Sequence, residues 1–522
     1  MPTLVLDQKL LENRPFWKNK SVDLPQYNRQ QADVKSLCFS AGRMAYGHTG
    51  DILQDLLNRD PGVGVMVGVE TYAARYCADL AASDYLMTQL IFGSEKGQVF
   101  PKIQGAIQSV LFVDDNPRSL TWLKLLELAR NPALQFATIN APESVYGVVY
   151  SGGEFAEPVS AAVKRDMAEG TVTSDPGKWT VFARERFNAG LPFALVSCTN
   201  FSGNGHYTGA TVRMVAKAWE EKGLAAKGFV AYLSDPTRFS FPNCMIDRIA
   251  VPPDEKTQQV MDALGITSTT VITEQTRYWV VEDLFPAGRP PFEAAEGVIM
   301  ESTYADVKKY EDMKLRILNM CHSLIAGLGV LLGYRGPYGI YRAMQDADLR
   351  RMMERIIEIV IRTIEHPTQM SPREFARDTF LRLNNPNIPD DPMRIALNAS
   401  AKMLPRFLDT YYAGQAQGMS AAELDVVLLP VAGFLRYTLG VDDAGAAYAL
   451  ADDPLRETLV ACGQQARLGD PASVSAFEPL VAHAGVMGKN LLQHGDTGKR
   501  LLAMTADMVQ GPGAVRRAVL KY

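Results

Sequence analysis

The run Val63-Gly-Val-Met-Val-Gly-Val69 carries no polar side chain and stops at Glu70. A short apolar stretch of this kind reads as a strand buried on both faces, as in a parallel sheet. Parallel neighbours need a crossover, usually a helix, and the flanking sequence supplies one. Residues 36–39 read as a short strand, 40–45 as a turn, and 49–57 as a helix with Asp51 and Asp55 in exposed positions. Further strands are expected at 106–113, 135–140, 193–197 and 270–273, with helices such as 121–129 and 210–222 between them. This alternation predicts an α/β fold built on a Rossmann-type, doubly wound parallel sheet.

After residue 303 the pattern changes to long amphipathic stretches, at 305–332, 349–365, 371–383, 394–413 and 421–439. Two domains are therefore expected. Residues 1–303 hold an N-terminal arm and the dinucleotide-binding sheet; residues 304–522 form a mostly helical domain. Residues 1–35 are polar and proline-punctuated and read as an extended arm with one short helix. The 522 residues are long enough for ample cores.

A formal net charge of −5 gives no reason to expect nucleic acid or an anionic membrane as partner. No apolar run reaches the length of a transmembrane helix. The first residues lack a signal-peptide pattern. The six cysteines are scattered, without C-x-x-C or zinc spacing. These features predict a cytoplasmic protein with reduced thiols and no metal, acting on a small molecule, as a monomer or small homo-oligomer.

The segment Lys314-Leu-Arg-Ile-Leu-Asn319-Met-Cys-His322 carries the chemistry. The stretch reads as helix, and at about 100° per residue Asn319 and His322 fall within roughly 140° of Lys314. A lysine, an amide and an imidazole on one side form a set for proton transfer at an alcohol or carbonyl. A desolvated lysine serves as base, and an amide donates to a developing alkoxide. The plainer alternative is a solvated lysine and a packed histidine.

A cofactor turn is also visible. Ser40-x-Gly42-x-x-Ala45 follows the G-x-G-x-x-G/A pattern, with serine at the first glycine. Gly42 lets the backbone approach a pyrophosphate, and Ala45 permits close helix–strand packing. Glu70 ends the second strand, where an acid binds the ribose hydroxyls of NAD and repels a 2′-phosphate; a solvated loop glutamate is the other reading. Thr138 and Asn140 close a later strand and are candidates for the nicotinamide half.

The sequence resembles the polyol-specific long-chain dehydrogenases, the mannitol dehydrogenase family. The stretch around Lys314 is similar to K-L-R-x-L-N-G-x-H-S. Ser197-Cys-Thr-Asn200-Phe-Ser-Gly-Asn204-Gly205 is near S-C-D-N-x-x-x-N-G, and Phe241-Pro-Asn-Cys-Met-Ile-Asp247-Arg248 is near F-P-N-x-M-V-D-R. Trp279-Val-Val-Glu-Asp283, Asn385-Pro-Asn-Ile388 and Gly440-Val-Asp-Asp443 follow in order.

The resemblance implies that Lys314 is the catalytic acid/base, that Asn319 and Asn200 hold the reacting oxygen, and that His322 binds a substrate hydroxyl. Glu311 would relay protons. Asp247 would reach the substrate or form an ion pair with Arg248. Arg394 and Lys402 match substrate-binding positions of mannitol-type members. The implied activity is NAD-dependent, metal-independent interconversion of a polyol and its ketose in the cleft between the domains. The alternatives are a hexuronate reductase or a non-catalytic nucleotide- or sugar-binding relative. Thr199, Met320-Cys321 and Asn398-Ala399 depart from the family pattern, which leaves the exact substrate open. His48 is kept from a family run that is otherwise altered here, and reads as a packed or surface histidine.

Overall fold

A computed structural model describes residues 3–493 and 495–522. The chain divides into two compact units: residues up to Gly93 with Val99–Lys308, and Ser94–Gln98 with Lys309–Tyr522.

The first unit is built on six parallel strands: β1 (Val34–Phe39), β2 (Val65–Glu70), β3 (Ile107–Phe112), β4 (Phe136–Ile139), β5 (Phe193–Ser197) and β6 (Phe239–Ser240). Their spatial order is β3-β2-β1-β4-β5-β6, the Rossmann order. All six residues of β2 are buried, as its uninterrupted apolar sequence requires. Alternate residues feed two cores. Leu37, Phe39, Val67 and Val69 pack with Trp122, Trp179, Phe182 and Trp219 on one face. Cys38, Val65, Met66, Ile107 and Val196 pack with Ile52, Leu56 and Trp279 on the other. Each such fully buried apolar side chain contributes about 1.5–3 kcal/mol before entropy is counted.

The helix that follows β1 begins with a π-turn at Ala45–Gly50 and continues as α1 (Asp51–Leu57). Asp51 is not exposed, contrary to expectation. It is buried and takes Lys102 at 2.7 Å together with Arg248 and Arg277. Burial alone would raise its carboxyl, but Arg248, Lys102 and Arg277 outweigh that and hold it well below the usual range. Asp55 is partly buried on the same cluster, 2.7 Å from Lys102 and paired with Arg277. His48 is packed, not superficial: it is fully buried, and its Nε2–H donates to the Tyr278 carbonyl at 3.0 Å.

The N-terminal residues are not merely an extended arm. Leu4–Val5 pairs in parallel with Ile266–Thr267. Two short helices follow, at Gln8–Glu12 and Arg14–Trp17. Leu6, Leu10, Leu11, Trp17 and Leu24 form a small core with Leu86, Ile103 and Ile266. The apolar residues are too widely spaced to show a period, but each finds the same pocket. The expected strand at 270–273 belongs to a separate mixed sheet, as Thr270–Glu274 beside Met87–Phe92. A three-stranded sheet orders Cys244–Asp247, Tyr278–Glu282 and Val298–Glu301.

Downstream of Glu301 the elements are helices and turns, so a doubly wound sheet and a helical C-terminal region are both present. The expected single helix from 305 to 332 is broken. α2 (Tyr304–Arg316) ends before Ile317, which sits at φ −106°, ψ −73°. α3 (Leu318–Leu324) follows, then a π-turn at Ile325–Gly329. Gly433 explains the close packing there, because a β-carbon on it would lie 2.6 Å from Leu328. The stretch 394–413 is not one helix either. It is divided into turns at Pro392–Ile395, Ser400–Lys402 and Leu404–Leu408 before a helix at Asp409–Ala416. The helices Ala347–Thr363, Pro372–Leu383 and Ala421–Tyr437 fall where periodicity puts them. No helix among the described residues is long and apolar enough to cross a membrane.

Candidate functional site

In a doubly wound sheet, ligands bind beyond the carboxyl ends of the strands where the strand order reverses. Here that point lies between β1 and β4, which are followed by Ser40 and Asn140. Ser40 adopts φ +60°, the left-handed turn that the missing glycine would make. A non-glycine residue carries this at a cost of about 1–2 kcal/mol. A β-carbon on Gly42 would meet nothing within 4 Å, so the backbone there is open to a ligand. Gly68, across on β2, has no such freedom: its β-carbon would lie 2.7 Å from that of Ala41. The turn is thus seated tightly on the sheet and open on its outer side.

Glu70 is buried at the end of β2, where its Oε1 accepts from the Thr71 and Tyr72 amides at 3.1 and 2.9 Å. It is therefore not a solvated loop residue. Ser40 and Glu70 line one cleft of about 730 Å³ together with Asp115, Asp175 and Lys178. Lys178 pairs with Asp115 at 3.0 Å. Burial pushes the Asp175 carboxyl up. Asn140 Nδ2 donates to Thr138 Oγ1 at 3.3 Å, while its Oδ1 is buried without a protein partner. Thr138 is itself wholly buried and supports Asn140 from behind.

Asn200 is exposed in the loop after β5. The loop is held by residues whose roles the sequence did not disclose. Asn204 donates to the carbonyls of Thr199 at 2.9 Å and Cys244 at 2.8 Å, and its Oδ1 accepts from the Cys244 amide at 2.9 Å. Thr199, at the family's aspartate position, donates to the Ala141 carbonyl at 2.8 Å. A β-carbon on Gly205 would lie 2.3 Å from the Phe241 carbonyl oxygen, so glycine is required there. Asn243 donates to Glu282 at 2.9 Å. The three family-like blocks from 197, 241 and 279 are therefore one knot of contacts. Asp247 is buried at the end of its strand. The Arg248 guanidinium is taken by Asp51, Thr273 and the Glu274 carbonyl.

Lys314 lies on the last turn of α2 and is 6% exposed; Glu311, one turn earlier, is 4% exposed. Neither is a solvated helix-surface residue. Asn319 and His322 lie beyond the break, on α3, so the angles of an unbroken helix do not apply. Asn319 is buried, and its carbonyl accepts from Arg406 at 3.0 Å. Arg406 also donates to Ser323 Oγ at 2.8 Å, and burial pushes its guanidinium down to about 10. His322 Nδ1 lies 3.1 Å from the Leu318 carbonyl, and its Nε2 lies 3.9 Å from Asp390 Oδ2. Burial lowers its pKa from the ordinary value, with Asp390 opposing. Arg394 is half exposed and holds Asp390 Oδ1 at 2.8 Å. Lys402 Nζ donates to the carbonyls of Ile395 and Leu397 at 2.7 and 2.5 Å. Burial, then Arg406 and Arg394, push it down to about 8.

Comparison with known proteins identifies the family and the fold. Residues 180–294 match the mannitol dehydrogenase Rossmann domain, and residues 306–480 the mannitol dehydrogenase C-terminal domain. The chain is 30% identical to the D-mannonate oxidoreductase of Thermotoga maritima, over 98% of each chain. It is 30% identical to a mannitol 2-dehydrogenase of Aspergillus terreus, over 94% of this chain and 95% of that one. The fold is similar to Pseudomonas fluorescens mannitol 2-dehydrogenase in its ternary complex with NAD and D-mannitol. The TM-score is 0.79 at 22% identity, with 99% of each chain covered. This chain belongs to the mannitol dehydrogenase family.

Proposed function

We propose that the protein is an NAD-dependent oxidoreductase that interconverts a sugar alcohol and its ketose. The observation that carries this reading is the burial of Lys314 and Glu311 in a segment of the family's lysine–asparagine–histidine pattern. Desolvation favours the neutral amine, the form a base requires. Oxidation of a secondary alcohol removes a hydride from carbon and a proton from oxygen. Lys314 takes the proton, and Glu311 passes it toward solvent. Asn319 and Asn200 donate to the reacting oxygen as negative charge develops on it. His322, Asp247, Arg394 and Lys402 position the rest of the chain of hydroxyls. In the reverse direction Lys314 returns the proton. No metal is required, because the asparagine amides and the lysine perform the work of a Lewis acid.

NAD fits the first unit and supplies the hydride acceptor when bound. Ser40 and Gly42 present an open backbone turn to a pyrophosphate, and Glu70 stands where ribose hydroxyls would be read. Glu70, Asp115 and Asp175 in the cleft, against Lys178, disfavour a 2′-phosphate. Thr138 and Asn140 lie on the nicotinamide side of the switch point.

A second reading, reduction or oxidation of a sugar acid, is favoured by the likeness to the D-mannonate oxidoreductase. A panel of polyols, ketoses, aldonates and uronates with NAD(H) and NADP(H), followed at the nicotinamide absorbance band, separates the two. Polyol turnover with NAD that survives exhaustive chelation is expected. Turnover of sugar acids alone, or activity restored by zinc after chelation, would refute the corresponding part.

A further inference from the structure

Asp390 is 5% exposed, yet half of its carboxylate is unanswered. Its Oδ1 accepts from Arg394 Nε at 3.1 Å and Nη2 at 2.8 Å. Its Oδ2 is buried, accepts no hydrogen bond, and faces His322 Nε2 across 3.9 Å. The histidine tautomer follows from its other nitrogen. His322 Nδ1 lies 3.1 Å from the Leu318 carbonyl, which can only accept, so Nδ1 carries the proton. Neutral His322 therefore turns a lone pair toward Asp390. Two acceptors confront each other, at a separation too long for a hydrogen bond of their own. A buried acceptor without a donor is costly, so the pair calls for donors from outside the protein.

We infer that His322 and Asp390 form a paired acceptor for two adjacent hydroxyls of the substrate, one donating to Nε2 and the other to Oδ2. Neighbouring hydroxyl oxygens in a gauche diol stand about 2.8 Å apart, close to a hydrogen-bond length, and so can span the pair. A carboxylate cannot: it has no proton to give and brings negative charge against Asp390. Arg394 does not compensate, because Asp390 already answers its charge. Asp390 is thus a specificity-determining residue that favours a neutral polyol end over a sugar acid. This rests on the oxidoreductase reading and deepens it by naming the substrate feature that is read.

The groups facing His322 are Asp390, Arg406 and Arg382. Burial keeps the ring from supplying the missing donor itself, since the charged form is disfavoured there. Bound hydroxyls need the lone pair, so polyol binding should weaken as pH falls and His322 takes up a second proton.

The test uses the full chain and Asp390→Asn, which keeps the shape but offers an amide donor to Nε2 in place of the second acceptor. For D-mannitol oxidation, KM should rise at least tenfold while kcat changes less than threefold. The preference for D-mannonate over D-mannitol should increase. Independently of turnover, ring-labelled histidine NMR follows the His322 titration, assigned with His322→Gln. D-mannitol should lower the His322 pKa by about one unit in the wild type, as expected when the ligand needs the lone pair, and not in Asp390→Asn. If the wild type turns over no polyol, the oxidoreductase reading fails on polyols, and the titration alone then decides this inference. A His322 titration indifferent to D-mannitol overturns it. So does polyol turnover whose KM stays within twofold in Asp390→Asn.

Discussion

At the scale of single residues, burial excludes the solvated alternatives that the sequence leaves open. Lys314 on an amphipathic helix is compatible with solvent or with a site, and its 6% exposure removes the first. Lys314→Ala should lower kcat at least ~10²-fold, the loss expected for a general base, with NAD affinity nearly unchanged by fluorescence titration. Near-normal turnover would mean that another group moves the proton. Glu70 is likewise no solvated loop residue, because two backbone amides fix its carboxylate at the edge of the cleft. Glu70→Ala should raise efficiency with NADP relative to NAD, measured as the ratio of the two kcat/KM values. An unchanged ratio would place the ribose contact elsewhere. Ser40 shows the limit of motif reading. The pattern departs from glycine, yet the serine takes φ +60° and makes the same turn.

At the scale of elements, the sequence locates the helices better than their interruptions. Ile317 and the π-turn at Ile325–Gly329 break a stretch whose apolar period continues through them. The second break is closely packed from outside, where Gly433 admits the Leu328 side chain, a contact that the apolar period does not register. The loop bearing Asn200 depends on a comparable tertiary feature. Asn204 satisfies two carbonyls and one amide on two different segments. Asn204→Ala leaves those buried groups unpaired, and each costs about 1–3 kcal/mol. We expect at least ~2 kcal/mol of destabilisation by denaturant titration, accompanied by a lower kcat because the loop loses its bracket. A variant with unaltered midpoint and turnover would show that water replaces the bracket at no cost.

For the whole molecule, stability in acid should follow two buried groups of the first unit. Asp51 binds cations 51, 197 and 226 residues away in sequence, at Lys102, Arg248 and Arg277. Asp51→Asn leaves buried positive charge uncompensated and should cost ~3–5 kcal/mol. Its folded pKa lies below the ordinary 3.8, so its contribution is whole above that value and fades as pH falls further. His48 acts in a higher window. Burial pushes it from 6.5 to about 4, so the folded state resists protonation that the unfolded chain accepts. Its contribution, of order 3 kcal/mol, is complete above pH 6.5 and is lost as pH falls toward 4. Urea midpoints measured across that range should decline in the wild type and flatten in His48→Gln. A parallel decline in both would exclude His48 as the cause. The amino-acid sequence by itself determined the parallel sheet, the change to helices after it, and the residues of the lysine segment, because apolar period and residue type are local properties. Only the tertiary structure decided that Asp51 is buried, that the N-terminal residues join a core, that Asn204 ties the loop at Thr199 to the strand at Cys244, and that Asp390 faces His322. Each of these depends on which distant groups meet, and a chain's local pattern carries no record of that.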